Sequence, residues 1–147
     1  MEVYRITHNK FASKLTASGR AARWNSNAQF LIYTASSRSL ACLENLVHRS
    51  GVEGKNYFKL IIINIPEEIT HSLVRLKDLD KDWSDYKNLA KTQRIGDKWL
   101  LKKENPILKV PSAIIPEEFN YLIDPAHTQF SKIKIIRTED FIFDDRL

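Results

Sequence analysis

The sequence predicts one α+β domain over residues 1–147, with a mixed β-sheet core and flanking helices. Three observations predict it. Residues 58–65 form a β-branched run ended by Pro66, as in a buried strand. From about residue 38 to residue 49, apolar side chains recur at helical spacing, and Ser36 or Ser37 stands ready as a cap. Further strand-like and helix-like segments alternate without an internal repeat, a low-complexity stretch or a linker, which suits one mixed layer arrangement. At 147 residues and 43% apolar composition, the chain is long enough to bury a real core.

In chain order, residues 3–6 read as a short opening strand and 11–27 as loop and turn, rich in Ser, Thr, Gly and Asn. Residues 29–34 read as a strand. The capped helix follows, with Gly51 and Gly54 marking its exit. After the strand at 58–65 comes a helix over 83–94, from the spacing of Trp83, Tyr86, Leu89 and Ala90, with Gly96 as its stop. Residues 99–102 begin another helix or strand. Residues 107–115 are extended, divided by Pro106, Pro111 and Pro116, and 116–121 form a turn or short helix. Residues 133–137 alternate like a half-exposed strand, and Phe141 with Phe143 suggests one more.

Composition narrows the function classes. No apolar run approaches the roughly 20 residues of a membrane span, and the first residues lack the apolar core of a secretory signal. A cytoplasmic protein is expected. The single Cys42 excludes an internal disulfide and reads as a small core residue. The net charge of +5 suits nucleic acid, an anionic small ligand or an acidic partner alike. Its lysines are scattered, so charge alone supplies only the non-specific part of a nucleic-acid signal. The four histidines have no zinc-site spacing, and four glycines without a G-x-G-x-x-G or P-loop cannot build a glycine-rich phosphate cradle.

The residues that draw attention lie between Arg23 and His48. Arg23 and Tyr33 are ten residues apart, and Tyr33 and Glu44 eleven. Glu44 shares a helical face with Leu40 and Val47, with Leu43 also in the stripe, and a carboxylate facing a core is costly without a partner or a task. It is either exposed or arginine-paired, or it is a catalytic carboxylate at the rim of an apolar cleft. Periodicity does not choose between these. Arg5 and Arg23 read as surface or ion-pair charges, or as guanidinium forks for phosphate oxygens. Tyr33 packs in a core or stacks on a flat ring. Ser112 lies in the apolar run VPSAII without a nucleophile elbow, so a serine-hydrolase role is not expected.

Three segments together resemble the RES-domain family of bacterial toxins. They are Tyr4-Arg5; then Arg23-Trp24-Asn25, Leu31-Ile32-Tyr33-Thr34-Ala35 and the stretch Leu40 to His48; and finally Val110 to Pro116 with Asn120 to His127. Each is weak alone, but their order and separations are fairly specific. Ala21-Ala22 stands where the family often has Gly-Gly, and Asp124-Pro125 where it usually has Asn-Pro. The resemblance implies an ADP-ribosyltransferase-like fold and a toxin that cleaves the nicotinamide–ribose bond of NAD, by hydrolysis or by phosphorolysis with inorganic phosphate. No metal is expected, on the histidine spacing above. The resemblance also implies an Xre-type helix-turn-helix antitoxin as the partner covering the active site. Glu44, Arg23 and Tyr33 would then be catalytic, with Arg5, Ser112, Asn120 and His127 binding substrate. Two rivals stand beside it: a protein ADP-ribosyltransferase, and a non-catalytic basic module that binds nucleic acid.

Overall fold

The computed structural model describes residues 1–48 and 57–147. Its strands are β1 (Glu2–His8), β2 (Ile32–Ala35), β3 (Phe58–Asn64), β4 (His71–Leu73), β5 (Ile107–Pro111), β6 (Phe119–Ile123) and β7 (Lys134–Phe141). Two α-helices accompany them, α1 (Arg38–His48) and α2 (Leu89–Lys102). The strands form one mixed sheet in the order β4-β5-β6-β2-β1-β3-β7, with only β4 and β5 parallel. The predicted α+β class is therefore the observed one.

Strand alternation sorts the apolar residues onto two faces. Val3, Ile32, Ile61, Ile63, Ile107 and Ile123 pack on one face, under the irregular segments that contain Ala12, Ile65 and Ile69. The other face carries two separate cores. Ile6, Ala35, Leu60 and Ile62 meet Leu40 and Ala41 of α1. Leu108, Val110 and Leu122 meet Trp99 and Leu100 of α2, with Trp24 and Trp83 alongside. Between those two cores the sheet itself is thin. β1 and β2 meet at a single registered pair, Tyr4 opposite Ala35, whereas β1 and β3 pair along seven residues.

Several boundaries differ from expectation. Gly96 does not stop a helix: α2 runs through it to a left-handed cap at Lys103, φ 53°, and takes in residues 99–102. Trp83 precedes α2, in a turn leading to a 3-10 turn at Tyr86–Asn88. Residues 119–121 belong to β6, because the hairpin from β5 pairs Val110 with Asn120 and Pro111 with Phe119. Phe141 ends β7 rather than starting another strand, since β7 follows β3 to the pair Phe58–Phe141. The short β4 was not anticipated; it is mostly exposed and gains its order from pairing with β5. The expected helix exit at Arg49, Gly51 and Gly54 lies outside the described residues.

Candidate active site

α1 begins two residues after β2, and Ser37 caps it by accepting the Leu40 N–H at 3.1 Å. At about 100° per residue, Leu40 and Ala41 bracket the buried face, and Glu44 falls between them at roughly 40° from Leu40. Leu40 and Ala41 are buried, and Glu44 is partly buried on their side. The companions expected for it were partly wrong. Leu43 and Val47 are 36% and 61% exposed, because one points away from the sheet and the other sits in the last turn. Glu44 therefore interrupts the buried stripe at its centre.

The hairpin β5–β6 supplies what holds that carboxylate. Ser112 follows β5 directly and is fully buried, and Asn120 lies on β6 opposite Ala35. Ser112 Oγ donates to Glu44 Oε1 at 2.9 Å, and Asn120 Nδ2 donates to the same oxygen at 2.7 Å. Ser112 Oγ in turn accepts the N–H groups of Ile114 and Ile115 at 3.0 and 3.2 Å. Its rotor is thus fixed with the proton toward Glu44. The Asn120 Oδ1 acceptor is buried and lacks a partner among the described residues.

Arg23 reaches the site from the loop between β1 and β2. Its guanidinium donates to the Trp83 carbonyl at 3.2 Å and lies 5.9 Å from the Trp83 ring. Burial lowers its pKa, and the field of Glu44, followed by that of Tyr33, opposes this. Tyr33 shares the sheet face of Ala35 and packs beside the α2 core. Its hydroxyl is committed: it donates to Asn25 Oδ1 at 2.6 Å and accepts the Trp24 N–H at 3.1 Å. Burial pushes its pKa well above that of a free tyrosine.

Two expected members lie elsewhere. Arg5 shares the opposite face of β1 with Val3, and its guanidinium donates to the Thr16 carbonyl at 2.8 Å. Burial alone lowers its pKa, without the opposing field of Glu44 that Arg23 feels. His127 closes the turn after β6, contacting the Lys103 carbonyl at 3.0 Å and accepting the Gln129 N–H at 3.1 Å. The structure thus brings together Glu44, Ser112, Asn120, Arg23 and Tyr33, but not Arg5 or His127. Both departures noted at the motifs are accommodated. Ala21 and Ala22 need no positive φ, and Ala22 bridges to Asn25. Asp124 accepts the Ala126 N–H at 2.9 Å, as Asn would, and its extra charge meets Lys103 at 2.6 Å.

A family model described as RES domain matches residues 2–144. The chain belongs to the RES domain family. It is 36% identical over 152 residues to "Toxin Res" of Yersinia enterocolitica serotype O:8, covering 100% of this chain and 99% of that one. It is 35% identical over 128 residues to the "Prs ADP-ribosylating toxin" of Sphingobium sp. (strain YBL2), covering 85% of this chain and 79% of that protein. Among solved structures, the crystal structure of the M. tuberculosis MbcT–MbcA toxin–antitoxin complex superposes with a TM-score of 0.76. It covers 96% of this chain and 84% of the matched chain at 16% identity. That likeness speaks for the fold. The resemblance to RES-domain toxins read from the three segments is borne out. No helix among the described residues is long and apolar enough to cross a membrane.

Sequence reasoning missed the supports of this RES domain's arginine loop. Thr92, Gln93 and Asp97 of α2 all bond to that loop. Gly96 sits where an added Cβ would lie 1.7 Å from the Trp24 carbonyl oxygen. The available signal was a glycine inside a helical pattern, which marks close backbone approach as readily as a stop.

Proposed function

We propose that this RES domain is the toxin of a toxin–antitoxin pair and that it destroys NAD by cleaving the nicotinamide–ribose bond. The observation that carries the reading is Glu44, a carboxylate at the centre of a buried helical face, held by two neutral donors with Arg23 in its field. In the reaction the bond from C1′ to the nicotinamide nitrogen breaks, and its electron pair leaves with nicotinamide. The ribose becomes oxocarbenium-like and cationic, and a carboxylate beside it stabilises that charge. An oxygen of water or inorganic phosphate then bonds to C1′, and the nucleophile's proton passes to solvent. Ser112 and Asn120 orient Glu44. The Asn120 Oδ1, without a partner among the described residues, suits a ribose hydroxyl donor. Arg23 is the cation for the pyrophosphate or for an attacking phosphate. Arg5, on the opposite face of the sheet and bonded to the Thr16 carbonyl, is left outside this reading.

The name of the Sphingobium relative supports a second reading, in which the same cation is captured by a protein side chain and the product is an ADP-ribosylated target. Likeness to a chain of a toxin–antitoxin complex supports an antitoxin partner, and we assign it to the Xre-type helix-turn-helix class implied by the motifs. The test is nicotinamide release from NAD by purified toxin freed of antitoxin, with and without phosphate and with labelled NAD to reveal a marked protein. Release without a marked protein is expected. Glu44→Gln should lower the rate at least about a hundredfold while the fold persists. Full activity in that variant would sink the assignment.

A further inference from the structure

The loop that carries Arg23 is tied internally by Asn25, whose Nδ2 donates to the Arg20, Ser26 and Gln29 carbonyls, and a face of α2 anchors it from outside. Thr92 Oγ1 donates to the Arg23 carbonyl at 2.5 Å, and Gln93 Nε2 donates to the Ala22 carbonyl at 2.9 Å. Ser26 donates twice to Asp97, from its N–H to Oδ1 at 3.0 Å and from its Oγ to Oδ2 at 2.5 Å. Gly96, lying between those residues, lets the Trp24 carbonyl approach the helix backbone. From the sheet side, the Tyr33 hydroxyl grips Trp24 and Asn25. Residues 22–26 are therefore fixed at their backbone from two sides, leaving the Arg23 side chain to project from a rigid turn.

Asp97 stands out in this brace. It is a partly buried carboxylate, both of whose oxygens are taken by one serine, and among the described residues it has no ion pair. A carboxylate receiving a backbone N–H and a hydroxyl makes charge-assisted bonds, stronger than neutral ones. We infer that Asp97 is a positioning residue of this site: acting through Ser26, it sets where the Arg23 guanidinium stands relative to Glu44. The idea predicts which substitution is tolerated. Asp97→Asn keeps both contacts, since its Oδ1 still accepts the Ser26 N–H and its Nδ2 donates to a rotated Ser26 hydroxyl. Asp97→Ala keeps neither.

The kinetic part of the test rests on the NAD reading, so a structural arm runs beside it. In Asp97→Ala, amide exchange at Ser26 and Trp24 should quicken while exchange in β3 stays unchanged. KM for NAD should rise about tenfold with kcat little altered, as for a lost contact made equally in ground and transition states. Asp97→Asn should restore both. Added to Arg23→Ala, Asp97→Ala should cost nothing further, because a residue acting through Arg23 has no role without it. Multiplying effects in that double variant would overturn the inference, as would unchanged Ser26 exchange in Asp97→Ala. If wild type released no nicotinamide at all, the NAD reading would fall, and the exchange arm alone would decide the brace.

Discussion

Gly96→Ala offers a sharp test because local helix energetics and tertiary packing disagree about its sign. In the interior of α2 the change should stabilise by about 1 kcal/mol, the usual advantage of alanine over glycine. The new Cβ, however, would lie 1.7 Å from the Trp24 carbonyl oxygen and 2.7 Å from its carbon. Ordinary contact requires about 3.5 Å, so roughly 1.5–2 Å must be recovered by moving backbone against backbone. Neither side yields cheaply. The helix is packed through Trp99 and Leu100, and the loop is tied by Thr92, Gln93 and Asp97. Overpacking of this kind costs about 1–3 kcal/mol, and the rigid neighbours put it at the upper end. The net expectation is a loss of about 2 kcal/mol, or a fall in Tm of roughly 4–8 °C for a chain of this size. Thermal unfolding followed by circular dichroism reads it directly. A Gly96→Ala protein as stable as wild type, or more so, would show that α2 does not lie against Trp24.

Three further outcomes are expected. Ser112→Ala removes the acceptor for the Ile114 and Ile115 N–H groups and one donor to Glu44, so urea denaturation should show a loss of about 2 kcal/mol together with reduced nicotinamide release. Tyr33→Phe keeps the ring but leaves the Trp24 N–H and Asn25 Oδ1 without the hydroxyl; activity should fall, whereas unchanged activity would restore the ring-stacking role expected from sequence. Glu139 on β7 is held to about 2 by Arg38 of α1 first and Arg137 second. Its folded pKa is thus below the ordinary 4.5. The tether is fully present above that value and is lost as pH falls toward 2. Tm measured across that window should drop less steeply in Glu139→Gln than in wild type, though modestly, since the group is exposed.

What could be read from the sequence followed local physics. The strand at 58–65 and the cap at Ser37 depend on near neighbours, and both stand within a residue or so of expectation. Glu44 was conspicuous because a charge breaks a periodic stripe, although Leu43 and Val47 proved to be the wrong companions for it. The misreadings arose where distant contacts override local preference. Gly96 looks like a stop until Trp24 is placed against it, and residues 119–121 become a strand only once β5 is beside them. Tyr33 was recognisable as important, but its hydroxyl partners come from a loop whose course no periodicity describes. Ser112 and Asn120 were named through family resemblance; their convergence on one oxygen of Glu44 is tertiary information.

The partners of Glu44 bear on why a carboxylate is kept there at all. A half-buried carboxylate can be satisfied by a cation or by neutral donors, and the two solutions differ in what remains. A cation neutralises the charge, and such a pair is mainly structural. Neutral donors fix the oxygen and leave the net charge in place. Glu44 has the second arrangement: Ser112 and Asn120 hold Oε1, and among the described residues no cation pairs with it. Arg23 lies within its field, yet turns a guanidinium N–H to the Trp83 carbonyl. The unspent charge sits between two apolar cores and beside the thinnest seam of the sheet, where low polarisability extends its reach. Neutral donors alone can also serve structure, as at Asp97, but there both oxygens are bonded, whereas only Oε1 of Glu44 takes a hydrogen bond among the described residues. In the proposed reaction the other oxygen faces the positive charge that develops as nicotinamide leaves a ribose. That asymmetry favours catalysis at Glu44 over a purely structural role.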